Sequence, residues 1–172
     1  MALGMNSDQL IAITSMCAVI ISTLSLVLTI VTSSLQIRHN KNSIKPIADI
    51  RVQDYENMIA IRIENVGTGP LVVKKLRFIR DNDNREYSSL IEMMPSINEP
   101  WVTFFEEADG WKIPVDGKID LIELNPLLEK TKESVRRALS TITVLLTYTD
   151  VYGTVYKDSR KLDFFGRHFD TK

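Results

Sequence analysis

Cysteine and histidine are nearly missing from this chain of 172 residues: it has one cysteine, Cys17, and two histidines, His39 and His168. A single thiol forms no intramolecular disulfide. Because Cys17 lies in an apolar run, thiol chemistry in the polar part is also excluded. Neither histidine has a second histidine or cysteine at ligand spacing, which argues against a zinc site. A Ser/His/Asp or Cys/His nucleophile would have to use one of these two poorly placed imidazoles. Excess charge is lacking too: 21 Lys and Arg stand against 22 Asp and Glu, so no global basic field marks a protein that binds duplex nucleic acid. The expectation is a non-enzymatic protein with no catalytic residue, no metal and no cofactor.

What the chain does have is an apolar run. Residues 9–37 carry no charge, longer than the roughly 20 residues a spanning helix needs. A signal peptide would need a basic start and a short apolar core, whereas "MALGMNSDQ" has no Lys or Arg. The reading is a short tail (1–9), a transmembrane helix (10–36), a basic juxtamembrane linker (37–46) and a β domain (47–172). Only Asp8 flanks the span on its N-terminal side, while Arg38, Lys41 and Lys45 follow it. By the positive-inside rule the N-terminus lies outside and the C-terminal domain is cytoplasmic, with the three cations at the membrane surface.

Within the span, steps of three and four residues visit Ser15, Ala18, Ser22, Ser25, Thr29, Thr32 and Gln36. All seven are small or polar, and the positions between are mostly Val, Ile, Leu and Met. Lipid offers helices no hydrophobic reason to associate, so small residues that permit close approach and hydroxyls that bond across helices mark an interface. The heptad period implies a left-handed supercoil. The alternative is that each hydroxyl bonds back to its own helix. The seam points to a homo-oligomer, as a dry contact or as a ring around water.

After Pro46 the periodicity changes to two. "IADIRVQD" and "NMIAIRIEN" alternate apolar and polar residues, and "LVVKKLRFIRD" resumes after the break "NVGTGP", with alternation slipping at Val72 and Val73. Gly67 or Gly69 in that break reads as a turn position needing φ > 0. "DNDNRE" reads as a polar turn, "YSSLIEMMPS" as a short helix ending before Pro95, and "GKIDLIEL" as a strand. "NPLLEKTKESVRRALS" is a helix with Asn125 as N-cap, Pro126 at its first position, and Leu127, Leu128, Val135 and Leu139 at helical spacing. "TITVLLTYTD" and "GTVYKDSRKLDFF" are strands joined by a turn at residues 150–153. The fold class is one N-terminal transmembrane helix plus a mainly-β domain of about seven strands and one helix, a sandwich or small barrel.

Three basic clusters occur in this domain: Lys74, Lys75, Arg77 and Arg80; Arg136 and Arg137; Lys157, Arg160 and Lys161. They read first as solvated strand edges and second as a pocket for a phosphate-bearing ligand. Tyr87, Trp101, Trp111, Tyr148, Tyr152 and Tyr156 would support base stacking only if they converge; Trp101 and Trp111 read as core. The acids of "FFEEAD", Glu106, Glu107 and Asp109, read as exposed loop charge, with acid/base chemistry as the alternative.

"HNKNSIKP" after the span (His39, Asn40, Ser43, Pro46), "NVGTGPL" between two strands (Asn65, Gly67, Gly69, Pro70) and "YTDVYG" before the last strand (Tyr148, Asp150, Tyr152, Gly153) resemble small bacterial single-pass membrane proteins with a cytosolic immunoglobulin-like β domain. In layout the chain resembles membrane effectors of antiphage defence, those of cyclic-oligonucleotide signalling and type III CRISPR systems. The resemblance implies a bacterial inner-membrane protein whose β domain senses a nucleotide second messenger or a partner protein and whose helices perturb the membrane. It supplies no ligand-binding residue. A passive anchor that recruits a partner through a sheet edge is the alternative.

Overall fold

The computed structural model describes residues 6–81 and 83–169. Residues 1–5 of the expected tail, Asn82 of the expected polar turn, residues 170–172, and the side chains of Asn84 and His168 lie outside the described residues. The chain divides into two compact units, one ending at Asn42 and the other beginning at Ser43.

The first unit is a single helix, α1 (Ser7–Ser43). Asn6 starts it: its carbonyl accepts from Gln9 and Leu10, and its N–H donates to Gln9 Oε1 at 3.4 Å, the backward half of a capping box. At 1.5 Å per residue its 37 residues extend about 56 Å. It is long and apolar enough to cross a membrane. The helix continues past residue 36 and takes up the first seven residues of the expected linker. Nothing in "IRHNKNS" breaks a helix, and the first obstacle is Pro46, which disfavours helical geometry at Lys45.

The second unit is a two-sheet β sandwich. Its first sheet has the order β1 (Ala48–Tyr55), β2 (Met58–Asn65), β7 (Lys118–Leu124), β5 (Thr103–Phe104). The second has the order β4 (Asp83–Tyr87), β3 (Leu71–Arg80), β8 (Ile142–Thr149), β9 (Val155–Lys161), with β6 (Lys112–Ile113) also on β3. All pairings are antiparallel. Alternation directs Ile50, Ile59, Ile61 and Ile63 from one sheet, and Val73, Leu76, Phe78, Val144 and Leu146 from the other, into one core. The slip in β3 is real, since its register against β8 shifts between Val73 and Lys75.

Several local expectations are corrected. Part of "DNDNRE" is strand β4, an edge strand whose polarity hides it from a period-2 reading. "YSSLIEMMPS" forms only a 3-10 turn, Ile91–Met93. The soluble helix, α2 (Glu129–Leu139), starts four residues after Asn125 and has Leu128 as its N-cap. The two residues ahead of it are held from elsewhere: Glu99 accepts from the N–H groups of Leu127 at 2.6 Å and Leu128 at 3.3 Å. Leu127 is therefore 90% exposed, and the buried stripe is Lys132, Val135, Arg136 and Leu139. Trp101 packs against the core as expected, but Trp111 is half exposed and meets Phe105 edge-on.

α2 is held to the sandwich by charge as well as apolar contact. The Asp54 side chain at the end of β1 is fully shielded from solvent. Arg136 grips it through Nε, at 3.1 Å to both oxygens, and through Nη2 at 2.7 Å. Arg167, from the final 3-10 turn Asp163–His168, adds a fourth contact at 3.1 Å. Lys132 lays its stem along the core edge and donates to the Glu56 carbonyl at 2.8 Å. Removing Asp54 takes from Arg167 its carboxylate and leaves Arg136 only the exposed Glu129, at 3.2 Å. Asp54→Ala is therefore expected to lower stability by about 3–5 kcal/mol, measured by urea denaturation followed by circular dichroism.

Candidate functional site

The three stretches that carry the family resemblance come together where the chain passes into the β domain. Residues 44–47 lie against the "NVGTGP" loop, backbone to backbone. Val66 N–H donates to the Ile47 carbonyl at 2.9 Å and Thr68 N–H to the Lys45 carbonyl at 3.0 Å. The two glycines exist for this contact. A Cβ on Gly67 would lie 2.3 Å from Ile47 N, and one on Gly69 would lie 1.9 Å from the Ile44 carbonyl oxygen. Neither glycine has positive φ; among the described glycines that property belongs to Gly110 and Gly153. The expected turn requirement is thus replaced by close approach.

Asn65 ties the clamp together from inside. Its side chain is completely buried, and its amide nitrogen donates to the carbonyls of Gly69 at 2.8 Å, Pro114 at 3.1 Å and Ile113 at 3.2 Å. Its oxygen accepts from Gly67 N–H at 3.1 Å and Ile47 N–H at 3.4 Å. A buried amide with both ends engaged fixes three chain segments at once.

The "YTDVYG" stretch completes this end. Tyr148 and Tyr156 stack with ring centroids 5.4 Å apart, and the Tyr148 hydroxyl accepts from Ala48 N–H at 3.4 Å. Lys45 Nζ lies 5.2 Å from the Tyr156 ring centroid, so this cation belongs to the β unit. Asp150 accepts from the N–H groups of Tyr152 and Thr154, each at 2.8 Å, and from the Tyr156 hydroxyl at 3.3 Å. Burial opposes its charge, but the Thr154 amide and hydroxyl, the Tyr152 amide and the Tyr156 hydroxyl outweigh that and hold its carboxyl below the usual range.

A second feature lies on the outer face of the second sheet, a groove of about 520 Å³. Its floor is Leu145 and Thr147 of β8. Lys75 and Arg77 of β3, with Glu86 of β4, form one wall, and Lys157, Asp158 and Ser159 of β9 form the other. The register lines up Lys75, Thr147 and Lys157 in one cross-strand row, and Arg77, Leu145 and Ser159 in the next. Lys75 Nζ meets Glu86 Oε2 at 2.7 Å, and that bond lowers the Glu86 carboxyl from its ordinary value. Arg77 is engaged by Asp109 through two contacts, at 2.9 and 3.1 Å. Asp109 also accepts from Leu76 N–H at 2.9 Å, next to the β3 bulge. Asp109 is thus a structural acid, while Glu106 and Glu107 are exposed.

Several other residues of the basic clusters are spoken for, though Lys74 is simply exposed. Arg80 donates to the Met93 carbonyl, Arg160 to the Ile50 carbonyl, Arg137 pairs with Glu133 and Lys161 with Asp81. The aromatics do not converge on one platform: Tyr148 and Tyr156 stack on each other, Trp111 meets Phe105, and Tyr87 donates to Asp83. On α1 the seven seam residues are exposed, and Arg38 and Lys41 lie within the helix. Ser25, Thr29 and Thr32 donate to the carbonyls of Ile21, Ser25 and Leu28 at 2.8, 2.8 and 2.9 Å. Thr23 and Ser34, off the seam, do the same.

The family profile of a domain of unknown function, DUF8453, matches residues 10–166. No curated protein matches the chain.

Two outcomes test the clamp. Gly69→Ala drives a Cβ into backbone and is expected to destabilise the β domain by about 3 kcal/mol or more. Gly110→Ala, whose Cβ meets nothing, pays only for its positive φ, about 1 kcal/mol; thermal melts of the two variants check the order. Because Asp150 has a depressed folded pKa, its contribution is complete above about pH 4 and disappears as pH falls through the folded value. Asp150→Asn should therefore lower the melting temperature at neutral pH, with the difference from the parent chain shrinking as the pH falls below about 4.

Proposed function

The chain belongs to the DUF8453 family, and because that match takes in the apolar helix and the β domain as one stretch, we propose that the two act together. The β domain senses a ligand or partner, and the helix, self-associating through its seam, perturbs the membrane in response. The concrete form of this reading is a non-enzymatic effector of bacterial antiphage defence in the inner membrane, with its N-terminus outside and its β domain in the cytoplasm. Arg38 and Lys41 after the span, against Asp8 before it, support that orientation.

The observation that carries the reading is the clamp. α1 ends at Ser43, and residues 44–47 are already bonded into the β domain. No free linker of several residues intervenes to absorb a change. A ligand with different affinity for two arrangements of the β domain then shifts the helices by that difference and no more. Arrangements differing by about 1–3 kcal/mol fall within the usual range of such coupling.

A tether that recruits a partner is the second reading, favoured by β9, which closes the second sheet as an edge strand. The seam separates the two. In native membranes a bis-maleimide at Cys17 should yield a crosslinked dimer. Replacing Ser22, Ser25 and Thr29 together with leucine should reduce that dimer at least fivefold and relieve toxicity on overexpression, with the protein still in the membrane fraction. A wild-type chain that stays monomeric, with and without candidate ligands, overturns the effector reading; toxicity indifferent to the triple variant supports the tether.

A further inference from the structure

We propose that the groove on the outer face of the second sheet binds a phosphorylated small molecule, with its phosphate over Thr147 between Lys75 and Lys157. The site deepens the sensing role proposed above and rests on it for its purpose, while its binding is measurable alone.

Strand register brings the three side chains together. Lys75, Thr147 and Lys157 stand in one row on three adjacent strands. With strands about 4.8 Å apart, the two lysine Cα atoms are separated by about 10 Å, and both stems are long enough to converge on an anion above the central hydroxyl. Two like charges facing each other across a hydroxyl are a cost with nothing between them. Only one has an internal answer: Lys75 holds Glu86, whereas among the described residues Lys157 forms no ion pair. Glu86 thus occupies the place a ligand's anion would take on one side. A phosphate carries up to two charges and three acceptor oxygens and reaches both lysines and Thr147 together, so it displaces that carboxylate.

Arg77 is not the primary phosphate ligand, because Asp109 already holds it by two contacts. The remaining row explains why the ligand has an organic body. A groove of about 520 Å³ is far larger than a phosphate and lies within the range of small-molecule sites, roughly 300–1,000 Å³. Beside Thr147, Leu145 offers an apolar floor and Ser159 a hydroxyl. A free metabolite and a lipid headgroup share this chemistry.

The test is lysine footprinting of the full chain in phosphatidylcholine nanodiscs, with an amine-acetylating reagent and a mass-spectrometric readout. The probes are inorganic pyrophosphate, ADP, and discs containing phosphatidylglycerol. Lys118, half exposed on the other sheet, is the control. At 1 mM of a soluble probe, or in the anionic discs, acetylation of Lys75 and Lys157 should slow at least fivefold while Lys118 is unchanged. Protection by pyrophosphate or ADP in phosphatidylcholine discs identifies a free ligand, and protection only in anionic discs identifies a headgroup. Thr147→Val and Lys157→Glu, both in exposed or half-exposed positions, should abolish protection of Lys75 without moving the melting temperature. Glu86→Gln should produce half-protection at several-fold lower probe. Absence of protection by all three probes, equal protection of Lys118, or protection that survives Lys157→Glu overturns the proposal. Protection with no change in Cys17 crosslinking keeps the site and sinks the coupling; seam-dependent crosslinking with no protection sinks the site alone.

Discussion

The Asn65 carboxamide is the junction on which the β domain's beginning depends. It holds the loop that receives residues 44–47 and reaches the 113–114 carbonyls ahead of β7. The contact it supports is backbone against backbone, with no room for a Cβ at Gly67 or Gly69. Such contacts are stiff, because neither side has a rotamer with which to yield. β1 leaves this point already paired with β2 over its full length, from Ala48 against Asn65 to Tyr55 against Met58. The first hairpin and the clamp are therefore one unit, and the strand carrying Ile50 into the core begins where the chain from α1 arrives.

At the other end of β1 the organising force is charge. Asp54 is buried and would be unfavourable alone; Arg136 and Arg167 make it tolerable and draw α2 and the last 3-10 turn onto the sandwich. The two ends of one strand thus solve different problems. The first positions the backbone that follows α1, and the second closes the core behind Val135, Leu139 and Phe165.

Strands that read clearly in the sequence are those with one dry face. β1, β2, β3, β7 and β8 show period-2 patterning, and even the β3 slip is visible at Val72 and Val73, whereas β9 has no buried residue and is legible from the turn ahead of it. β5 and β6, at two residues each, are too short for any period, and β4 is an edge strand with a polar sequence. The start of α2 is not legible because Glu99, distant in sequence, holds the Leu127 and Leu128 amides ahead of it, so the local Asn-Pro signal points to the wrong residue. Gly67 and Gly69 were legible as special positions, but their reason lies in residues 44–47, outside the loop itself. The basic clusters looked alike in one dimension; only the register separates the row of Lys75 and Lys157 from arginines already bound to carbonyls and acids.

The hydroxyls of α1 donate to carbonyls one turn back within the same helix. Such a helix brings few unsatisfied donors into hydrocarbon, so a single copy can insert and persist without finding a neighbour. In the proposed assembly, what holds two copies together is then packing and spare acceptor lone pairs, on the order of 1 kcal/mol per contact. On the proposed reading this is the useful regime: the lone helix is a stable resting form, and the assembled one lies within reach of a single binding event.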